Sequence, residues 1–225
     1  LLTALTETFY HFTGVRQLFV DLEGHGRADL FAEVDLSRTV GWFTAVYPVV
    51  LDLRSSRTRG ESVKMAKEQL RKVPDQGIGF GILKYLCNDP QIRHQMQMLP
   101  KAPIVFNYLG QFDQQAGAAG IFAVARESKG PERSHLGQRS HIIEINGSVS
   151  GGKLQFEWKY SENLMRRSTV EHLAQTFISE LRGMIAHSKS SEIIGFTPSD
   201  FRLAKLSQKK LDKVMQKLIK TMERV

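Results

Sequence analysis

The stretch HIIEINGSVSGGKLQFEWKY, His141 to Tyr160, decides the fold class. Leu154, Phe156, Trp158 and Tyr160 alternate with polar residues, the period-two pattern of a half-buried strand. Gly151-Gly152 supplies a two-residue turn that accepts positive φ, so the preceding apolar arm folds back onto this one as a hairpin. Ser168 and Glu171 then have the spacing of a capping box, and residues 173, 177, 178, 181, 184 and 185 share one helical face. A hairpin leading into a long amphipathic helix predicts a mixed α/β fold.

The rest of the chain extends that pattern in both directions. APIVFNYLGQF (102–112) is a further strand, followed by a Gly- and Ala-rich stretch at 114–120. Apolar residues at 63, 66, 70 and 73 mark a helix over Glu61–Val73 that ends before Pro74. VGWFTAVYPVVLDL (40–53) is rich in β-branched and aromatic residues and reads as a strand, with Pro48 marking an edge or a bend. QLFVDL (17–22) has the length of a buried strand, and Leu1–Phe12 has helical apolar spacing that starts without a cap, as if cut from something larger. After the linker FTPSDF, the segment from Leu203 to Met222 gathers Leu203, Leu206, Leu211, Val214, Leu218 and neighbouring apolar residues on one face, with lysines on the other. This predicts a basic amphipathic helix that either docks on a neighbouring domain or packs back on its own.

Composition narrows the function. The 225 residues are 41% hydrophobic and 24% charged, with no apolar run long enough to span a membrane and no signal-peptide pattern, so the expectation is a cytoplasmic globular protein. The single cysteine, Cys87, excludes an internal disulfide and a cysteine-based zinc cluster. GxxxxGK[ST], GxGxxG and HExxH patterns are all lacking, and the seven histidines are scattered, so neither a nucleotide site nor a structural metal is expected. The net charge of +8 is concentrated at the end: residues 201–225 hold eight Lys/Arg against two Asp/Glu, which leaves 23 against 21 in the body. A nearly neutral body argues against nucleic acid or an anionic membrane as its partner.

One motif calls for a chemical reading. EGHGR, Glu23 to Arg27, places a carboxylate, an imidazole and a guanidinium within five residues at the end of the strand-like run QLFVDL. Its glycines allow a tight turn and a close backbone approach. Two readings stand: Glu23 exchanges protons with a substrate, or it pairs with Arg27 to hold the loop. Arg27 cannot serve as a base at its pKa, so it either orients Glu23 or steadies negative charge. His25 reads better as a loop brace. Asn107 and Tyr108, in FNYLG, either donate hydrogen bonds to a substrate or are satisfied within the strand. In PDQGIGFG the glycines read as turns, since no Lys-Ser/Thr follows to make a phosphate cradle.

EGHGR (23–27), RTVGWFTAVYP (38–48), PDQGIGFG (74–81) and FNYLGQFD (106–113), with the opening LLTAL, together resemble the epimerization domains of nonribosomal peptide synthetases, members of the condensation-domain superfamily. The resemblance covers almost the whole chain. It implies one lobe of a chloramphenicol-acetyltransferase-like two-lobed fold, a mixed sheet with helices, spanning residues 1–195, with 196–225 as a linker and helix leading to the next domain or subunit. It implies inversion of the α-carbon of an aminoacyl or peptidyl thioester on a carrier protein, with Glu23, Arg27, Asn107 and Tyr108 as site residues. No cofactor is implied for this lobe, the substrate being carried on the phosphopantetheine of the carrier protein. The implied partners are an N-terminal lobe, a peptidyl carrier protein and a downstream condensation domain or subunit. The segment Gln111–Ser140 is the candidate to reach across to the other lobe. The family's HHxxxD motif is absent from these residues and belongs upstream, so the chain resembles the C-terminal half of such a domain and would be inactive by itself. Ala28 stands where an acidic residue is usual and Phe80 where a Tyr is usual, which weakens a proton-transfer role at that second position. The alternative is a catalytically inactive, condensation-like interaction module.

Overall fold

The computed structural model describes residues 1–27, 33–111, 127, 130, 134, 137–190, 196–204 and 206–222. The elements run in the order α1 (Leu2–Thr13), β1 (Gln17–Gly24), β2 (Ala45–Asp52), α2 (Arg59–Arg71), α3 (Ile78–Gly81) continuing as a wide π-turn (Ile82–Leu86), and α4 (Pro90–Met98). There follow β3 (Ile104–Gln111), β4 (Ile143–Ser150), β5 (Lys153–Tyr160), α5 (Arg167–Ser190), a 3-10 turn (Pro198–Ala204) and α6 (Gln208–Met222). The strands form one five-stranded sheet in the order β2-β1-β3-β4-β5. β1, β3 and β4 are parallel neighbours, and β5 closes the hairpin antiparallel to β4. The α/β mixed sheet read from the sequence is the fold.

The chain divides into two compact units, one of residues 1–18, 50–74 and 175–225, the other of 19–49 and 75–174. In the first, Leu5, Leu51, Leu53 and Phe177 are fully buried. Thr3 to Phe9 of α1 are buried, polar residues included, while its last turn is exposed. Thr6 and Thr8 donate back to the carbonyls of Leu2 and Ala4, and Glu7 accepts from Arg16 Nε at 3.0 Å and from Ser62 at 3.2 Å. A buried carboxylate needs such partners, because unpaired charge is expensive to desolvate. In the second unit the core is the sheet face of Val20, Leu22, Ile104, Phe106, Ile143 and Ile145, while the alternate residues present the other, polar face.

The hairpin forms as read: Gly151 and Gly152 have φ of +60° and +67°, and Leu154 faces Val149 across it. Pro48 sits in an edge strand, β2. Other expectations shift. Residues 40–44 are not strand; β2 begins at Ala45, and the Gly41 carbonyl bonds to the Arg27 side chain. The capping box lies at Thr58–Glu61, where Thr58 Oγ1 accepts from the Glu61 N–H and Glu61 Oε2 accepts from the Arg57 N–H, so α2 begins at Arg59. Ser168 is inside α5, and Glu171 pairs with Arg167 one turn earlier at 2.8 Å. α4, capped by Asp89 with Pro90 at its first position, had no clear apolar periodicity to announce it.

The C-terminal helix is shorter than its apolar pattern. Residues 198–204 form a 3-10 turn, Leu203 is fully exposed, and α6 starts at Gln208. The segment packs back on α2: Asp200 accepts from Lys67 and Arg71, both at 2.6 Å, Asp212 accepts from Lys64 at 3.2 Å, and Leu211 is buried. Most of Gln111–Ser140, the segment expected to reach across to another lobe, lies outside the described residues, as does Ala28. Among the described residues, no helix is long and apolar enough to cross a membrane.

Candidate functional site

Parallel strands place their ligand-binding potential at their carboxyl ends, where loops diverge and backbone polar groups are exposed. Glu23 is the penultimate residue of β1. The β1–β3 register sets it beside Asn107, and the β3–β4 register sets Asn107 beside Asn146. Directly paired residues project from the same face, so a carboxylate and two carboxamides form one row across three strands, each about 4.8 Å from the next. Tyr108 is one residue further on and therefore points to the opposite face. Asn107 and Tyr108, adjacent in sequence, thus do different things; Tyr108 packs toward Gly147, where an added Cβ would lie 3.3 Å from its ring.

The loop after β1 is built around Gly26. Its φ is +65°, and a Cβ at this position would overlap the Phe43 carbonyl. Only glycine lets the 24–27 and 41–43 backbones approach this closely. Gly77 has a similar role beneath Tyr47, with φ +83° and a ring where its Cβ would be. Gly79 and Gly81 lie in α3 with nothing within 4 Å of an added Cβ, so of the PDQGIGFG glycines only Gly77 is required by turn and packing.

Arg27 is the hub of the loop. Nη1 donates to the Leu36 carbonyl at 2.6 Å, Nη2 donates to the carbonyls of Thr39 at 2.9 Å and Gly41 at 3.3 Å, and the guanidinium lies 4.3 Å over the Phe43 ring. His25 Nδ1 accepts from the Arg27 backbone N–H at 3.0 Å, which is the loop brace expected of it. Residues 41 and 43 are thereby held in the loop, at the Gly41 carbonyl and the Phe43 ring.

The four residues singled out from the sequence come together. Glu23, Arg27, Asn107 and Tyr108 line one cleft of about 380 Å³, with Trp42 and Leu109 also on its wall. A larger cleft of about 500 Å³ between α2 and α6 carries Lys64 and Asp212, already paired with each other, and no converging reactive groups. Two features were missed at the sequence level. Asn146 joins the row only through strand register, and its one signal was a polar residue interrupting the apolar arm HIIEIN. Asp21, on the same face as Glu23, pairs with His141 Nε2 at 2.8 Å, and the Ser140 hydroxyl lies 3.1 Å from His141 Nδ1. Nothing local in sequence joins residues 120 positions apart.

The site is thus a carboxylate and two carboxamides at the ends of parallel strands of a mixed α/β sheet, beside a turn built on Gly26. The condensation-domain family profile matches residues 1–207, and the chain belongs to that family. It is 46% identical over 212 residues to one of the linear gramicidin synthase proteins of Brevibacillus parabrevis, covering 94% of this chain and 3% of that protein. It is 33% identical to tyrocidine synthase 1 of the same organism, covering 99% of this chain and 21% of that protein. The chain therefore spans a small part of these relatives. Among solved structures, it is similar to the epimerization domain from the third module of tyrocidine synthetase B, with TM-score 0.73 and 34% identity over 83% of this chain and 41% of that one. A starter condensation domain of rhizomide synthetase, 12% identical at TM-score 0.52, shares the fold.

Proposed function

We propose that the chain is the C-terminal lobe of a nonribosomal peptide synthetase epimerization domain, which inverts the α-carbon of an aminoacyl or peptidyl thioester held on a carrier protein. The observation that carries this reading is the in-register row of Glu23 and Asn107 inside one cleft. Similarity to an epimerization domain at 34% identity, against 12% for a starter condensation domain, favours epimerization over peptide-bond formation.

The chemistry follows from the groups present. A thioester acidifies its α-hydrogen, and a positioned carboxylate removes or returns that proton from one face. Glu23 takes this role. The electron pair released moves onto the thioester oxygen, where a fixed amide donor such as Asn107 stabilises the developing charge. A second acid on the opposite face completes the inversion; the resemblance assigns it to the histidine motif of an N-terminal lobe. The thioester carbonyl itself takes up the charge, so the lobe calls for no resident cofactor. Arg27 supports the site through its loop, and Tyr108, at the cleft's edge, packs against Gly147 of β4. Residues 196–225 would carry the chain out of a cytoplasmic synthetase lobe toward the next domain or subunit.

The test is chirality analysis of the aminoacyl group released from a loaded carrier protein after incubation with the full-length gene product, wild type and Glu23→Gln. A mixture of L and D forms with wild type and only the L form with Glu23→Gln supports the reading. Unchanged L substrate with the wild type would favour an inactive interaction module.

A further inference from the structure

We propose that Trp42 is a specificity-determining wall of the cleft, receiving a bulky apolar side chain of the thioester-bound aminoacyl group, and that Arg27 is the positioning residue that holds it there. The inference rests on the epimerization reading of the same cleft. RTVGWFT looks architectural from sequence alone, yet Trp42 is 88% exposed while lining the cleft. A surface indole on a loop without regular structure would ordinarily be mobile. This loop is instead tied at the carbonyls of Leu36, Thr39 and Gly41 by one guanidinium, which also covers the Phe43 ring. Phe43 anchors the loop, and Trp42, its neighbour, is displayed.

The cleft combines two chemistries. Glu23, Asn107 and Thr44 supply polar groups, whereas Trp42 and Leu109, the latter 52% exposed, supply apolar surface open to solvent. A substrate with a reactive α-carbon and a large apolar side chain uses both. Aromatic rings are suited to this because they offer much contact area with few rotatable bonds. The guanidinium is already spread over three carbonyl oxygens, which is the geometry of a clamp; a lysine ammonium cannot reproduce that fork or the stacking on Phe43.

The experiment measures α-deuterium wash-in by the full-length gene product on carrier proteins loaded with L-Phe or L-Ala. Trp42→Ala should slow the Phe thioester about tenfold or more while leaving the Ala thioester within about twofold. Arg27→Lys, whatever its common loss on both substrates, should widen the Phe-to-Ala rate gap in the same direction, and in the double variant that gap should be no wider than in either single one within about twofold, because both remove one device. Proportional losses on Phe and Ala overturn the specificity role, and so would full retention of both by Arg27→Lys or rate gaps that multiply in the double variant. If the wild type exchanges no α-hydrogen on any thioester, the epimerization reading fails separately. The wall is then judged by backbone amide exchange of residues 38–44 with a stable phenylalanyl-pantetheine amide. Protection in the wild type that is lost in Arg27→Lys supports it, and no protection overturns it.

Discussion

Gly26→Ala isolates the backbone contact on which the site depends. Two effects add. A non-glycine residue in the left-handed region at φ +65° costs about 1–2 kcal/mol. The new Cβ also meets the Phe43 carbonyl, which is backbone and cannot rotate away, so the 41–43 segment must move. That movement strains the Arg27 bonds to the Thr39 and Gly41 carbonyls, each worth about 0.5–1.5 kcal/mol. The sum is about 2–5 kcal/mol, a lowering of Tm by roughly 4–20 °C for a chain of this size. Gly79→Ala is the control: it lies in α3 with nothing within 4 Å of its Cβ, and alanine there should be neutral or stabilising by up to about 1 kcal/mol. Thermal melting by circular dichroism, with amide exchange over residues 34–44, reads both. Equal Tm values for Gly26→Ala and wild type, with unchanged exchange in that loop, would refute the account of why glycine is required.

Other expectations follow from the same contacts. Phe177→Ala, at a fully buried position, should destabilise the fold by about 3–5 kcal/mol in urea titration; a loss under 1 kcal/mol contradicts the assigned core. Hydrogen bonds from Lys67, the Thr197 backbone and Arg71 hold the Asp200 carboxyl well below the usual carboxylate range. A depressed folded pKa stabilises above the unfolded value and is lost as pH falls, so Asp200→Asn should lower the urea midpoint at pH 7, and its gap to wild type should narrow below about pH 4. A gap constant from pH 7 to 3 goes against the ion-pair account. Asn107→Ala should reduce the α-exchange rate constant about 100-fold with little change in apparent KM, as expected for a donor that acts on developing charge; a change confined to KM points to ground-state binding instead.

Local chemistry was legible in the sequence wherever it is local in the structure. The Gly151-Gly152 hairpin, the carboxylate at the end of β1 and the edge position of Pro48 were all readable from short windows. Register was not. The Glu23–Asn107–Asn146 row depends on parallel pairing between segments far apart in the chain, and period-two patterns say which residues share a face of one strand but not which strand lies beside it. The strand reading of 40–44 failed because this segment belongs instead to the loop that Arg27 ties at the Leu36, Thr39 and Gly41 carbonyls and through the Phe43 ring. Ser168–Glu171 satisfied the capping-box spacing, yet the helix had already begun and Arg167 held the glutamate. The continuous apolar stripe from Leu203 concealed that Leu203 belongs to a 3-10 turn while α6 starts only at Gln208; side chains of α2 hold Asp200 in that turn and Asp212 in that helix.

The central claim is that Glu23 moves a proton at the α-carbon, and following one hydrogen tests it most directly. Carrier protein loaded separately with the L- and D-aminoacyl thioester is incubated in deuterated water with the full-length gene product and with Glu23→Gln. The account predicts that wild type converts both starting materials to the same L/D mixture with one α-deuterium, and that Glu23→Gln slows this by roughly 100- to 10,000-fold. Peptide-bond formation without deuterium uptake, or undiminished exchange in Glu23→Gln, would contradict it.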